Sequence, residues 1–386
     1  MAGEAYDHLM AVVVLGLIFS AAAFVVPSVS YVNMLYLDQQ QLRNVALSAL
    51  KTILYDEGYP ANWGDMHGLN LFNENDVQRF GLALQSDPSF YVLDINKVQR
   101  LGGNPMGNIS YQKVKSLLGL SGYDFSITMR PLFKVDKYVS NPVYSGDQRG
   151  ATVNFGVNVS RYDGQPVPNA IVATTLIYVA DTSPLPTTNF AQFRKTTDSL
   201  GRCKDSASVS AGAKIMDIVV IFRVTVGDRS TLVVQAEDTQ TPNNIAKINV
   251  VGDNVILTNP PLHLDPPYPS RWVINIQMYN FETSMNLLNG SRDNLYKLIY
   301  GGGYNVWSQA FEGLEQSDPA ILVLTIDAVD QGRTLLILIG PWGLWSANGV
   351  IALNPVPSSS GASASIQRDV IIAGMAYLAE LRLWKT

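Results

Sequence analysis

The pattern of hydrophobic and polar residues near the N-terminus changes at about residue 38. Residues Leu9 to Leu37 form a predominantly apolar run of twenty-nine positions without a charged side chain. After Asp38, apolar residues recur at i, i+3, i+4 and i+7, the spacing of one face of a helix. This stripe consists of Leu42, Val45, Ala46, Ala49, Leu50, Ile53 and Leu54. The pattern predicts one helix from about Ala5 to Glu57, hydrophobic first and amphipathic afterwards.

Two residues predict where this helix ends. Gly58 suits the position that follows a helix C-terminus, and Pro60 prevents the helix from continuing. A bilayer core of ~30 Å needs about 20 apolar residues, so the uncharged run is long enough to span it. A cleaved secretory signal is not expected, because the start of the chain is acidic and the apolar run exceeds the usual length.

The remainder of the chain predicts mainly strands. It is rich in Val, Ile, Thr, Tyr and Gly, and only 15% of all residues are charged. The clearest strand has Val153, Phe155, Val157 and Val159 alternating with polar residues, followed by a tight turn at Asp163-Gly164. Such alternation is typical of a half-buried strand in a hairpin. The predicted fold class is α+β, mostly β, with a long N-terminal hydrophobic and amphipathic helix followed by a β-rich headpiece.

Changes in composition suggest four segments. We expect the N-terminal helix over 1–57, a small α+β headpiece over 58–137, a β-sandwich over 150–260 and a β-rich C-terminal domain over 261–386. The last segment should end in a hairpin about Gly374. Residues 138–150 are rich in Pro, Gly, Ser and Asp and predict a linker.

The candidate metal ligands are few. The chain has one cysteine, Cys203, whose role the sequence leaves open, and three histidines, so a zinc site with the usual number of ligands is not expected. His67 lies near Asp65 in a predicted turn, where a solvated histidine is the simpler interpretation. Asp163 and Asp253 are weak calcium candidates, but hairpin turns also favour aspartate at such positions.

Charge and motifs point away from catalysis and nucleic acid. The net charge is −5, and Lys and Arg form no run, so we expect no nucleic-acid partner. A nucleophile elbow before a helix is missing, and the glycines at 301–303 lack the lysine of a phosphate loop. Glu312 and Glu315 have no surrounding acids and aromatics that would form a sugar cleft. We therefore predict that the protein is not an enzyme and has no cofactor or metal.

Three Asn-x-Ser triplets are candidate glycosylation sites, at Asn108, Asn158 and Asn289. One or two such triplets are expected by chance in a chain of this composition. Together with the Thr, Ser and Asn-rich β segments they favour a cell-surface location. The positive charges of Arg43 and Lys51 after the apolar run point weakly to the opposite orientation.

The helix resembles the N-terminal stem of type IV pilins and their archaeal relatives. The features that carry the likeness are its length, the change from apolar to amphipathic, Pro27 within the apolar half and an acidic start. The resemblance implies that the apolar segment packs into a filament core, which would include Gly16, Ser20, Ala22, Phe24 and Pro27. It also implies that Glu4 or Asp7 pairs near the N-terminus. Small residues such as Gly16 and Ala22 suit close contact between helices.

A second resemblance concerns the predicted sandwich. The phrase Asp163-Gly-Gln-Pro-Val-Pro-Asn-Ala-Ile-Val, with Thr197-Asp-Ser-Leu-Gly after it, is similar to immunoglobulin-like modules of microbial surface proteins. The likeness implies a sandwich of about seven strands and about 110 residues.

These features favour a structural subunit of an extracellular, type IV pilus-like filament. Its partner would be other copies of the same chain, and it would reside in the membrane before assembly. The alternative is a single-pass membrane-anchored surface protein or adhesin that does not polymerise. An exported enzyme or solute receptor is a third hypothesis.

Overall fold

The computed structural model describes residues 2–65, 72–85, 91–102, 107–182, 186–234, 350–353 and 362–386, and eight strands between 247 and 339. For residues 2–7, 9 and 22–35, and for nearly all of those eight strands, the description covers the backbone only. Most described residues outside the N-terminal helix belong to β-strands.

The helices are α1 (Ala2–Tyr55), α2 (Ile95–Val98) and α3 (Tyr111–Leu117), with 3-10 turns at Glu74–Asp76 and Gln99–Leu101. Each short helix begins at a capping side chain, as the free N–H groups of a first turn require. Asp94 accepts from the backbone N–H of Asn96 at 2.8 Å, and Ser110 accepts from that of Lys113 at 3.2 Å. After α1, Gly58 adopts a φ of +78°, which a residue without a side chain tolerates best.

The first sheet, which we call the head sheet, combines distant parts of the chain. Its strands are β1 (Val92–Leu93), β2 (Tyr123–Pro131), β19 (Ile351–Leu353), β20 (Ser363–Ile372) and β21 (Met375–Lys385), in the order β1-β20-β21-β2-β19. The hairpin predicted about Gly374 is present, because β20 and β21 pair antiparallel up to Ile372 and Met375. The last strand of the chain therefore lies in the middle of the sheet, beside β2.

The second half of α1 packs on β20 and β21 of the head sheet. Six of the seven positions of the predicted stripe are buried there: Leu42, Ala46, Ala49, Leu50, Ile53 and Leu54. Val370 and Leu381 belong to the same hydrophobic cluster on the sheet side. The helical spacing of the apolar residues is thus explained by burial of one face.

Two further sheets form a sandwich. One contains β3 (Lys134–Val139), β4 (Val143–Tyr144), β5 (Gly150–Ser160) and β8 (Arg202–Ser210), with β3, β4 and β8 all paired to β5. The other contains β6 (Ile171–Ala180), β7 (Thr187–Thr196), β9 (Ile215–Val226) and β10 (Arg229–Val234), in the order β10-β9-β6-β7. The predicted alternation in β5 is confirmed, since Val153, Phe155, Val157 and Val159 are buried. The rings of Phe155 and Phe222 meet across the two sheets at 6.0 Å.

A third layer covers the other side of the β10-β9-β6-β7 sheet. It is formed by β13 (Arg271–Tyr279), β14 (Ser284–Asn289), β17 (Ile321–Ala328) and β18 (Arg333–Ile339), in the order β14-β13-β17-β18. Tyr279 contacts this outer face of the sandwich, where its hydroxyl lies 3.2 Å from the hydroxyl of Thr175 and its ring stacks on Phe190 at 4.5 Å. Coverage on both faces explains why β6 and β9 are apolar almost throughout.

The remaining described strands form a separate ladder. They are β11 (Lys247–Val251), β12 (Asn254–Asn259), β15 (Ile299–Gly301) and β16 (Tyr304–Ala310), in the order β11-β12-β16-β15.

The predicted fold class is wrong in its account of the N-terminal helix. Among the residues that the structure describes, no helix combines the length and the apolar character needed to cross a membrane. The apolar side chains described in this run, those of residues 10–21, are exposed. The part of the chain that the structure describes is therefore mostly β, and the long hydrophobic stem predicted from the uncharged run is not found there.

Candidate functional site

The first half of α1 carries apolar side chains that nothing in the described structure covers. Every residue from 10 to 21 is exposed. The large apolar side chains among them have exposed fractions between 49% and 69%: Met10, Val12, Val13, Val14, Leu15, Leu17, Ile18 and Phe19. Because they are nearly consecutive, they point to all sides of the helix. We call residues 10–19 the apolar segment.

The predicted core residues lie on α1, but the structure describes the surroundings of only two of them. Gly16 lies within the apolar segment, and a Cβ atom at this position would meet no atom within 4 Å. Ser20 is exposed just after it. The side chains of Ala22, Phe24 and Pro27, and those of Glu4 and Asp7, lie outside the described part of the molecule.

The helix meets the head sheet between residues 38 and 42. Lys385 Nζ of β21 lies 3.1 Å from Asp38 Oδ1, and Leu42 is the first buried side chain of α1 in the described part. The described part of α1 therefore has an exposed apolar segment near its start and, from Leu42 onward, one face that is buried on the head sheet.

A hydrogen-bonded turn holds the C-terminal end of α1. Asp56 Oδ1 accepts from the backbone N–H of Gly58 at 2.8 Å and from Arg79 Nε at 3.0 Å. The backbone N–H of Tyr59 donates to the carbonyl of Arg79 at 2.9 Å. The chain leaving the helix is thus fixed against the segment around residue 79.

Trp63 fills the space beneath this turn. Its side chain is fully buried, and its Nε1 donates to the carbonyl oxygen of Gly81 at 2.9 Å. Its ring contacts that of Phe80 at 5.8 Å between centroids. Gly81 is required by close approach, because a Cβ atom there would lie 2.0 Å from the carbonyl oxygen of Asp56.

Charged residues are buried beside Trp63. Lys97 Nζ donates to the carbonyl of Ala83 at 2.9 Å and lies 3.4 Å from Asp94 Oδ2. The guanidinium of Arg100 donates to the carbonyl of Gly64 at 3.2 Å. These bonds satisfy cations that would otherwise be costly to bury. They join α2 to the turn that follows α1.

Asp65 is the partly buried acid of this group, which we call the buried charge cluster (Asp65, Asp94, Lys97 and Arg100). Burial, followed by the charge of Asp94, raises the pKa of Asp65 to about 6, against the hydrogen bond of Asn96 and the two cations. Burial also lowers the pKa of Arg100 to about 10. Among the described atoms, Asp65 Oδ1 has no hydrogen-bond partner.

The other candidate ligands do not converge. Within the described residues, no group of three His, Cys, Asp or Glu side chains is placed to hold a metal ion. Asp163 instead accepts from the backbone N–H of Gln165 at 3.0 Å, as an aspartate in a turn does. His67 and Asp253 lie outside the described residues. Cys203 is buried, and burial raises the pKa of its thiol.

Two of the three candidate glycosylation sites have described side chains. Asn108 is exposed before α3, and Asn158 is exposed on the outer face of β5. Asn289 is the last residue of β14, and its side chain lies outside the description. A glycan at Asn108 or Asn158 would point into solvent.

The sequence did not indicate the buried charge cluster or the role of Trp63. A pattern with Asp94, Lys97 and Arg100 at helical spacing normally indicates a solvated helix face. The signal that could have been used is the pair of glycines Gly64 and Gly81, because glycine often marks close backbone approach.

Comparison with models of known protein families gives no match, and neither does comparison with curated proteins.

Proposed function

We propose that this protein is a structural subunit of a cell-surface filament in which the apolar segments of α1 from several copies pack together. The observation that carries the proposal is the exposure of eight large apolar side chains within residues 10–19. A helix that is hydrophobic on all sides is normally buried in a protein core or a membrane, and packing against other copies would bury this one. The partner in this proposal is other copies of the same chain.

Burial of the exposed apolar side chains would drive association between copies. Burial of one large aliphatic side chain contributes about 2 kcal/mol. Several such side chains on each copy would supply enough free energy for association, after the loss of translational freedom is counted. Gly16, which has free space where a side chain would stand, would allow two helices to approach closely.

The attachment of α1 to the rest of the protein supports a role in transmitting force between subunits. Its second half is buried on the head sheet, and its end is held by Asp56, Arg79 and the fully buried Trp63. If a subunit is held in a filament through the first half of α1, tension on the filament is therefore transmitted through the second half of α1 to the β layers.

We also propose that the β layers face outward at the cell surface and that, before assembly, the chain associates with the membrane through the exposed apolar segment. The exposed Asn108 and Asn158 side chains support an outward orientation of the head sheet and sandwich. The proposed function does not require a catalytic step, a cofactor or nucleic acid.

The experiment compares two exposed leucines in the full-length protein. Leu17 lies in the apolar segment and Leu200 lies in the turn before β8, and both are more than half exposed. Because neither contributes to the described core, Leu17→Lys and Leu200→Lys should both keep the wild-type melting temperature. After detergent removal, we expect at least a tenfold loss of filaments for Leu17→Lys and none for Leu200→Lys. Sedimentation velocity and negative-stain electron microscopy measure this.

Two results would overturn the proposal. The first is a wild-type chain that stays monomeric when detergent is removed, which would favour a membrane-anchored surface protein or adhesin. The second is normal polymerisation of Leu17→Lys, which would place the contact between copies elsewhere.

A further inference from the structure

Two tyrosines meet where α1 ends. Tyr55 is the last residue of α1, and Tyr91 directly precedes β1. The hydroxyl of Tyr55 donates to that of Tyr91 at 3.0 Å, and the ring centroids are 4.8 Å apart with an angle of 52° between the planes. Both side chains are half-buried, so a small oxidant in solution can reach them.

We propose that Tyr55 and Tyr91 form an oxidative cross-linking site, at which a peroxide joins their two rings through a carbon–carbon bond. Each phenol gives one electron and one proton to the peroxide, and one hydrogen peroxide is reduced to two water molecules. The two phenoxyl radicals then couple at ring carbons next to the hydroxyl-bearing carbons. The hydrogen of each coupled carbon moves to the phenolic oxygen, so both hydroxyls return and the protein loses two hydrogen atoms in all.

The geometry favours this pair because its hydroxyl groups are in contact. The reactive ring carbons are bonded to the carbons that carry the hydroxyls, so the 3.0 Å contact brings the reactive ends of both rings together. The hydrogen bond to Tyr91, and burial, raise the pKa of the Tyr55 hydroxyl, which therefore stays neutral and keeps its donated proton at neutral pH. A neutral hydrogen-bonded phenol can pass its proton to a neighbour as it loses an electron.

The bond would tie the end of α1 to the edge of the head sheet. Tyr91 is held in place on the sheet, because its carbonyl accepts from the backbone N–H of Ile371 at 2.8 Å. A cross-link between residues 55 and 91 closes a loop in the unfolded chain and reduces its entropy, as a disulfide does. The cross-linked protein should therefore unfold at a higher temperature. This inference does not depend on filament formation.

The test uses the full-length protein treated with hydrogen peroxide and a haem peroxidase. Trypsin cleaves after Lys51, Arg79 and Lys97, which places Tyr55 and Tyr91 in separate peptides, 52–79 and 80–97. Mass spectrometry should find these two peptides joined with the loss of two hydrogen atoms. A mixture of nitrogen-15-labelled and unlabelled protein should give only pairs in which both peptides carry the same label.

Three variants make the result specific. Tyr55→Phe and Tyr91→Phe remove one hydroxyl each, and each should lower the yield of the joined peptides at least tenfold. Tyr59→Phe is the matched control, since Tyr59 lies in the same peptide as Tyr55 but is 55% exposed and has no described ring contact with Tyr91. It should leave the yield unchanged. Near-ultraviolet circular dichroism checks that all three variants fold.

The proposal fails if the wild-type protein gives no joined peptides. It also fails if either phenylalanine variant at position 55 or 91 still gives them, or if mixed-label pairs are as frequent as same-label pairs. The last outcome would mean coupling between molecules, at tyrosines on their surfaces.

Discussion

Lys385 Nζ lies 3.1 Å from Asp38 Oδ1, so the second-last residue of the chain is paired with the middle of α1. The two side chains are 47% and 41% exposed, and exposed ion pairs contribute at most about 1 kcal/mol. We expect Lys385→Gln to lower the free energy of unfolding by less than that amount. In the background of Asp38→Asn the same substitution should have no effect. Urea titrations of the wild type, the two single variants and the double variant measure the coupling free energy between the two side chains. A coupling free energy well above that value would show that solvent screens the pair less than its exposure indicates.

Ile53 anchors the second half of α1 on the head sheet. It is fully buried, and truncation of such a side chain leaves a cavity that costs about 2–4 kcal/mol. Ile53→Ala should lower the free energy of unfolding by that amount. Leu37→Ala, at a position of the same helix that is 63% exposed, is the control and should change it by less than about 0.5 kcal/mol. Equal effects would mean that the helix is not held through its buried face.

Gly81 should not tolerate a side chain, because the carbonyl oxygen of Asp56 would lie 2.0 Å from an added Cβ atom. We expect Gly81→Ala to cost about 3 kcal/mol through displacement of the turn after α1. Gly212→Ala is the control, since a Cβ atom at Gly212 meets nothing within 4 Å. Thermal melts of both variants test this. A Gly81→Ala protein as stable as the wild type would contradict the close approach.

Asp65 should make stability depend on pH. Its pKa rises from 3.8 to about 6 on folding, so its contribution to stability is fully present below pH 3.8 and is lost as the pH rises through about 6. Asp65→Asn, which stays neutral, should therefore be more stable than the wild type at pH 7, and this advantage should shrink towards pH 4. Differential scanning calorimetry of both proteins between these values gives the difference directly.

Asp124 is the control for Asp65, because its pKa is shifted in the opposite direction. Hydrogen bonds from Lys115 and Tyr111 lower the pKa of Asp124, so its contribution is present at neutral pH and is lost as the pH falls. Asp124→Asn should therefore be less stable than the wild type at pH 7, with a smaller deficit at low pH. If the two variants show the same pH trend, the buried charge cluster does not perturb Asp65.

Tyr279 connects the third β layer with the sandwich. Its hydroxyl accepts from Gln192 Nε2 at 2.7 Å and lies 3.2 Å from the hydroxyl of Thr175. Tyr279→Phe should cost about 1–2 kcal/mol, because buried polar partners lose a hydrogen bond. Tyr138→Phe, at a position that is 62% exposed, should cost less than about 0.5 kcal/mol in the same denaturant titration. Similar losses for both variants would argue against a buried contact at Tyr279.

Local periodicity explains which predictions agree with the structure. Alternate residues of a strand face opposite sides, so the pattern in Val153 to Val159 was sufficient to identify the buried face of β5. The helical spacing from Leu42 to Leu54 identified the buried face of α1 for the same reason. The turn about Gly374 was also visible, because the tight turn requires a positive φ there.

The apolar run before Asp38 is compatible with more than one environment. An uncharged run indicates that a segment is buried away from water. A membrane, a protein core and contact with other copies would each provide such burial. The hydrophobic stem inferred from the run is not found among the described residues, where the apolar segment is exposed. The sequence therefore indicated an apolar surface without indicating what covers it.

The amphipathic face of α1, the alternating strands and the turns could be identified from the order of residues alone. The three-dimensional fold was needed to show that β21 pairs with β2, which lies some 250 residues earlier, and that the β10-β9-β6-β7 sheet is covered on both faces. It also decided that Lys97 and Arg100 are buried beside Trp63. The physical reason is that periodicity depends on neighbours in the chain, whereas strand partners and buried charges depend on contacts between residues that are far apart in it.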